Sequence, residues 1–166
     1  MTNQSFKHFA LVLGGSQGLG YASALKLAQN GWNLLIIHRD RRSDLPEIET
    51  RFEAIKQCGI DLKTFNLDAT NSEKRKEFIN MLPKLLGESG KIKLLLHSIA
   101  KGNLKAMTGD SPLNQTDLQI TANAMAYSFY DWSKDILGAG YFAKNSKLLA
   151  FTSEGNQRVW KHYAAV

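Results

Sequence analysis

FALVLGGSQGLG, residues 9–20, decides how the chain is read. Phe9 to Leu13 is an unbroken apolar run, as suits a strand covered on both faces. Gly14, Gly15, Gly18 and Gly20 follow, and Tyr21–Asn30 then carries apolar residues at Ala24, Leu25, Leu27 and Ala28. The pattern predicts a strand, a tight turn and a helix in direct succession. Glycines at such a turn let backbone approach a ligand and let the helix lie close to the strand. The helix N-terminus presents N–H groups and a partial positive charge, which suits phosphate.

Three motifs compete for this stretch. A phosphate-binding P-loop ends in Gly-Lys-Ser/Thr, whereas Tyr21 and Ala22 follow Gly20, so that reading fails. Gly14-Gly15-Ser16-Gln17-Gly18 also fits a Gly-x-Ser-x-Gly nucleophile elbow, but an elbow needs earlier strands to build its oxyanion hole. The third reading is a dinucleotide fingerprint on Gly14, Gly18 and Gly20, spaced Gly-x-x-x-Gly-x-Gly. Its place after the first strand favours a nucleotide site over a plain glycine-rich turn.

At 166 residues the chain has the length of one domain with a sizeable core. Hydrophobic content of 43% and charged content of 22% are ordinary for a globular protein. No apolar run approaches the roughly 20 residues that cross a bilayer. MTNQSFKHF lacks the pattern of a signal peptide. The single cysteine, Cys58, excludes an internal disulfide, and a cytoplasmic location is expected. The net charge of +6 is scattered rather than gathered in a basic stripe, so nucleic acid is not an expected partner. Lys74-Arg75-Lys76, beside Glu73 and Glu77, reads as a solvated helix face.

Along the chain, Gly31 stops the first helix and Trp32–His38 reads as a second apolar strand. Arg39, Asp40, Arg41 and Arg42 follow, where a dinucleotide site reads the adenosine ribose. His38 is not acidic, and Arg39 offers a guanidinium to a 2′-phosphate, so NADP(H) is favoured and NAD(H) is the alternative. Leu45–Gln57 has helical spacing at Ile48, Phe52 and Ile55. Ile60–Leu67 reads as a third strand leading into Asp68 and Ala69. Asn71 or Ser72 caps a helix reaching about Leu86, bent or interrupted near Pro83. Ile92–His97 is a fourth strand, followed by Ser98-Ile99-Ala100 and a polar loop. Asp117–Leu137 reads as one long helix, Lys147–Thr152 as a fifth strand, and Trp160–Val166 as the start of a helix. Strand and helix alternate throughout. This predicts an α/β, Rossmann-type doubly wound parallel sheet of order 3-2-1-4-5 with helices on both faces.

With these motifs in place the sequence resembles a short-chain dehydrogenase/reductase over essentially its whole length. Leu13–Gly20 is similar to that family's glycine motif, with Leu13 where Thr is common. The resemblance implies cofactor contacts from Gly14, Ser16, Gln17, Gly18, Leu19 and Gly20. It also implies contacts from Arg39, from Asp68 and Ala69 at the adenine, and from Ser98, Ile99 and Ala100. His97-Ser98-Ile99-Ala100 and Ala126-Tyr127-Ser128-Phe129 resemble the enoyl-acyl-carrier-protein reductase branch. Thr152-Ser153, and Tyr163 ten residues beyond Ser153, resemble the catalytic Ser and Tyr. Asn123 falls near the family's helix-four Asn. The family's catalytic Lys follows its Tyr by four residues, or by seven in the enoyl branch, which is past Val166. The lysine and the sixth and seventh strands are therefore expected outside residues 1–166, which would form a single NAD(P)-binding domain lacking the C-terminal part of the family fold.

The resemblance implies an NADPH-dependent oxidoreductase that reduces an enoyl or oxo acyl thioester, of fatty-acid-synthesis type, on acyl carrier protein or coenzyme A. Tyr163 would be the proton donor and Ser153 the orienting hydroxyl. The alternatives are a non-catalytic dinucleotide-binding module and a ketoacyl or other carbonyl reductase. Tyr127 is expected to be a helix-packing residue, and His97 a strand-end histidine with a backbone partner and no metal role. A fifth strand left at the sheet edge would invite self-association, so a homo-oligomer is expected.

Overall fold

The computed structural model describes residues 7–158 and 160–166, so the signal-peptide reading rests partly on residues outside that range. The chain alternates as expected: β1 (His8–Leu13), α1 (Gly18–Gln29), β2 (Asn33–His38), α2 (Leu45–Lys56), β3 (Leu62–Asn66), α3 (Ser72–Leu86) and β4 (Lys91–His97). Then come α4 (Gln115–Ala122), a π-helical turn (Asn123–Tyr127), α5 (Ser128–Gly138) and β5 (Phe142–Ala150). The five strands form one parallel sheet in the order β3-β2-β1-β4-β5.

Period-two alternation divides the core between the two faces of this sheet. Phe9, Leu11 and Leu13 of β1 and Leu35 and Ile37 of β2 face α3 and α5, where Phe78, Leu82, Trp132 and Ile136 meet them. Ala10, Val12, Leu34 and Ile36 point the other way, against Ala24, Ala28, Ile48, Phe52 and Ile55 of α1 and α2. The unbroken apolar runs Phe9–Leu13 of β1 and Leu34–Ile37 of β2 are thus the direct consequence of helices on both sides.

The structure corrects several local expectations. Asn71 caps α3 through Glu73 and Lys74, and the helix runs through Pro83 to Leu86 without interruption. Arg75 is not solvated: its guanidinium is buried between α3 and α5, with Nε 2.7 Å from Asp135 and an Nη 3.1 Å from Asp131. The long helix is interrupted by the π-helical turn. β5 begins at Phe142 and stops at Ala150, looping out against β4 between Phe142 and Lys147 with Asn145 at φ 58°. Trp160–Val166 does not begin a helix. It forms consecutive turns in which Tyr163 N–H donates to the Trp160 carbonyl and Val166 N–H to that of Tyr163.

Register positions the site. Leu13 pairs with Ile37 and with His97, His38 with Asn66, and His97 with Ala150. All five strands therefore end on one rim. In a doubly wound sheet the crevice outside those carboxyl ends is where ligands bind.

Candidate functional site

The glycine turn occupies the middle of this rim. Gly14 adopts φ 84°, and a Cβ on Gly20 would overlap its carbonyl oxygen, so β1 and α1 can lie this close only with glycine at position 20. Gly18 adopts φ 56° and faces open space. Gln17 precedes the helix in extended conformation, and its side chain does not cap it. The N–H groups of the first turn are thus left to a ligand. From below, an Arg51 Nη donates to the Ser16 carbonyl at 3.1 Å while its guanidinium lies over the Tyr21 ring.

A cleft of about 1120 Å³ runs along the rim. It is lined by Gly14, Ser16, Gln17, Gly18 and Leu19 from the turn, by Arg39 after β2, by Asp68 and Ala69 after β3, and by Ser98, Ile99 and Ala100 after β4. Thr152, Ser153 and Tyr163 line its far end, after β5. One cavity therefore gathers every candidate cofactor and catalytic residue except Gly20, which packs beneath the turn; Asn123, in the π-helical turn, does not line it. Ser153 and Tyr163 are both exposed to the cleft, and the Ser153 hydroxyl accepts from Gly155 N–H at 3.2 Å.

The charged groups of the rim are ordered. An Arg39 Nη lies 3.3 Å from an Asp68 carboxylate oxygen. The other Asp68 oxygen accepts from the Thr70 N–H at 2.9 Å and from its hydroxyl at 2.6 Å. Partial burial would raise the Asp68 carboxyl, but these hydrogen bonds, with Arg39 and Lys101 nearby, hold it below the usual carboxylate range. The loop after β4 is fastened by Lys105, whose Nζ lies 3.0 and 2.9 Å from the two oxygens of Asp117. Lys105, together with Asn103, holds that carboxyl low as well.

Two histidines end strands at the cleft. His97 is buried, and the Ser128 hydroxyl lies 2.8 Å from its Nε2, a side-chain partner in addition to the backbone contacts expected. His38 is also buried, with Nδ1 2.7 Å from the Asp40 carboxylate. Tyr127, expected to pack, is 62% exposed. The sequence reading passed over Arg51, Thr70 and the His38–Asp40 pairing. Only the last has a local signal, a histidine and a carboxylate two residues apart leaving a strand.

The family described as enoyl-(acyl carrier protein) reductase matches residues 14–166. The chain belongs to the short-chain dehydrogenase/reductase family. Among curated relatives, a 7alpha-hydroxysteroid dehydrogenase of Paraclostridium sordellii is 34% identical over 105 residues, 61% of this chain and 37% of that protein. A very-long-chain 3-oxoacyl-CoA reductase of Kluyveromyces lactis is 36% identical over 66 residues, 40% of this chain and 18% of that one. A short-chain dehydrogenase/reductase from Serratia marcescens superposes with a TM-score of 0.76 at 18% identity, covering 95% of this chain and 60% of the other. An alcohol dehydrogenase from the archaeon Thermococcus sibiricus, complexed with 5-hydroxy-NADP, gives 0.76 at 19% identity over 95% and 63%. The matched stretch thus covers less than two thirds of the length of each of these proteins. Members of the family are oxidoreductases that bind a nicotinamide dinucleotide. No helix among the described residues is long and apolar enough to cross a membrane.

Proposed function

We propose that the protein is an NADP(H)-dependent reductase of an enoyl or oxo acyl thioester, carried on acyl carrier protein or coenzyme A. The observation that carries this reading is the single cleft joining an uncapped α1 N-terminus to Ser153 and Tyr163. The α1 N-terminus and Gly18 fit a pyrophosphate, Arg39 a 2′-phosphate, and Asp68 and Ala69 the adenine side. Ser98 to Ala100 line the span between that end and Ser153.

A bound dihydronicotinamide supplies hydride. Negative charge that develops on the substrate oxygen is met by the residues at the far end of the cleft. Ser153 holds that oxygen with its hydroxyl, and Tyr163 donates the phenolic proton. A phenol with a pKa of about 10 is a poor acid near neutrality, and a neighbouring ammonium corrects this by favouring the phenolate. No lysine follows Tyr163 before Val166. Because the matched stretch covers less than two thirds of its relatives' lengths, residues 1–166 are proposed as the nucleotide-binding part of the family fold. A cytoplasmic protein that self-associates through its β5 edge completes the reading.

Titration with NADPH and NADH, followed by nucleotide fluorescence or heat, tests the foundation: NADPH binds at least about tenfold tighter, and Arg39→Ala removes most of that preference. Silence from folded protein at millimolar ligand overturns the assignment. NADPH oxidation with crotonyl- and acetoacetyl-thioesters then separates enoyl from oxo substrates. Activity on the ketone alone makes the protein a ketoacyl reductase, and binding without turnover of either leaves a dinucleotide-binding module.

A further inference from the structure

We infer that His38 is a specificity-determining residue: it sequesters the Asp40 carboxylate from the ribose end of the cleft, leaving Arg39 as the side chain that reads the nucleotide there. This rests on the dinucleotide reading of the cleft.

The segment leaving β2 carries opposite signals side by side. Arg39 invites a 2′-phosphate. Asp40 would accept from a ribose 2′-hydroxyl and would repel a phosphate dianion. The structure resolves the conflict through one contact. His38 Nδ1 lies 2.7 Å from an Asp40 oxygen, with the two side chains only 5% and 7% exposed. The Arg39 side chain, by contrast, is 63% exposed. A carboxylate can only accept, so the imidazole donates through Nδ1.

The imidazole is itself fixed. It packs edge-on against Phe52 of α2, with ring centroids 5.1 Å apart. The backbone below it is pinned by reciprocal bonds between β2 and β3. Asp40 N–H donates to the Asn66 side-chain oxygen at 3.1 Å, and the Asn66 amide donates to the Asp40 carbonyl at 3.2 Å. Leu67 N–H donates to the His38 carbonyl at 2.8 Å. Asp40 and His38 both border the cleft, and the carboxylate is held against a packed donor with little of its side chain exposed.

The experiment measures the affinities of the folded protein for NADPH and NADH in four forms. His38→Leu keeps an apolar side chain against Phe52 but removes the donor. Freed, Asp40 repels the 2′-phosphate and accepts from the 2′-hydroxyl, so the NADPH-to-NADH affinity ratio falls about tenfold or more. His38→Asn, whose amide can donate in place of Nδ1, retains the wild-type ratio. His38→Leu with Asp40→Asn, which removes the charge, recovers most of it.

An unchanged ratio in His38→Leu overturns the inference, and if Arg39→Ala still lowers the ratio the dinucleotide reading itself survives. A double variant as poor as His38→Leu also overturns it, because the effect then comes from the β2 end and not from the carboxylate. Wild-type protein that binds neither nucleotide overturns both. Circular-dichroism melts of each form show that the ratios are read from folded protein.

Discussion

The two ends of the cleft are built differently. At the nucleotide end the walls are backbone: a glycine turn, the start of α1 and the ends of β2 and β3, set on fully buried residues of both core faces. At the far end, residues 151–155 and 160–164 are exposed, and the described backbone bonds are mostly short-range turns, apart from Phe151 N–H to the His97 carbonyl. The first end is a product of the fold. The second is a set of side chains carried past the last strand. Stability and chemistry should therefore separate between them, and substitutions can test that separation.

The largest effect is expected in the core. Phe78 is fully buried and meets Phe65 and Trp132 edge-to-face at ring distances of 5.0 and 5.4 Å. Phe78→Ala should cost about 3–5 kcal/mol in urea unfolding. Trp160→Ala, at a half-exposed residue of the C-terminal turns, should cost under about 0.5 kcal/mol. Comparable losses at the two positions would mean that the C-terminal turns belong to the folding unit after all. The converse experiment reads chemistry. Tyr163→Phe should leave the melting temperature unchanged while thioester-dependent NADPH oxidation falls about a hundredfold. An unchanged rate would remove the phenol from the proposed proton transfer.

The junction between α3 and α5 lies between these extremes. Arg75 is only 7% exposed, while its partners Asp131 and Asp135 are 33% and 24% exposed. Arg75→Met removes the buried cation and leaves the two carboxylates with the exposed Lys134 ammonium, 3.9 and 4.0 Å away. The expected cost is about 2 kcal/mol, less than for a fully buried pair because water still reaches the acids. A neutral result would show that the apolar stem of the side chain supplies all of its stabilisation.

What the sequence disclosed follows the same division. FALVLGGSQGLG encodes strand, turn and helix locally, because burial on both faces demands unbroken apolar residues and the turn demands glycine. Strand order followed from alternation, right-handed crossovers and a nucleotide site placed at the first turn. Arg75 was misread because its neighbours Lys74 and Lys76 are charged and its partners lie 56 and 60 residues away, on a helix whose facing residues no local pattern specifies. The π-helical turn at Asn123–Tyr127 was invisible for a similar reason. One added residue per turn leaves composition unchanged, and the hydrogen bonds bordering the turn, His97 to Ser128 and Ser128 to the Ala124 carbonyl, include a constraint from 31 residues away. The turns at Trp160–Val166 carry apolar residues without a settled period, so the expected helix had little to support it.

That last constraint gives the smallest and most specific effect. The Ser128 hydroxyl donates to the Ala124 carbonyl of the π-helical turn at 2.8 Å, which uses its one proton. His97 is then the donor, through Nε2, in its own 2.8 Å bond to Ser128. Burial among apolar neighbours, including Phe129 with its ring 5.5 Å away, pushes the imidazole below its ordinary 6.5, although hydrogen bonding to backbone carbonyls opposes the shift. The unfolded chain therefore takes up the proton first as pH falls. This contribution to stability is complete above pH 6.5 and declines as pH drops from there toward the folded-state value. The lowered carboxyls of Asp61, Asp68 and Asp117 act in a separate window, below their ordinary 3.8. His97→Gln keeps a donor toward Ser128 and cannot titrate. Urea midpoints at pH 7.5 and 5.5 should fall less between the two conditions in the variant than in the parent. An equal fall in both would show that protonation of His97 does not supply the acid sensitivity between these two pH values.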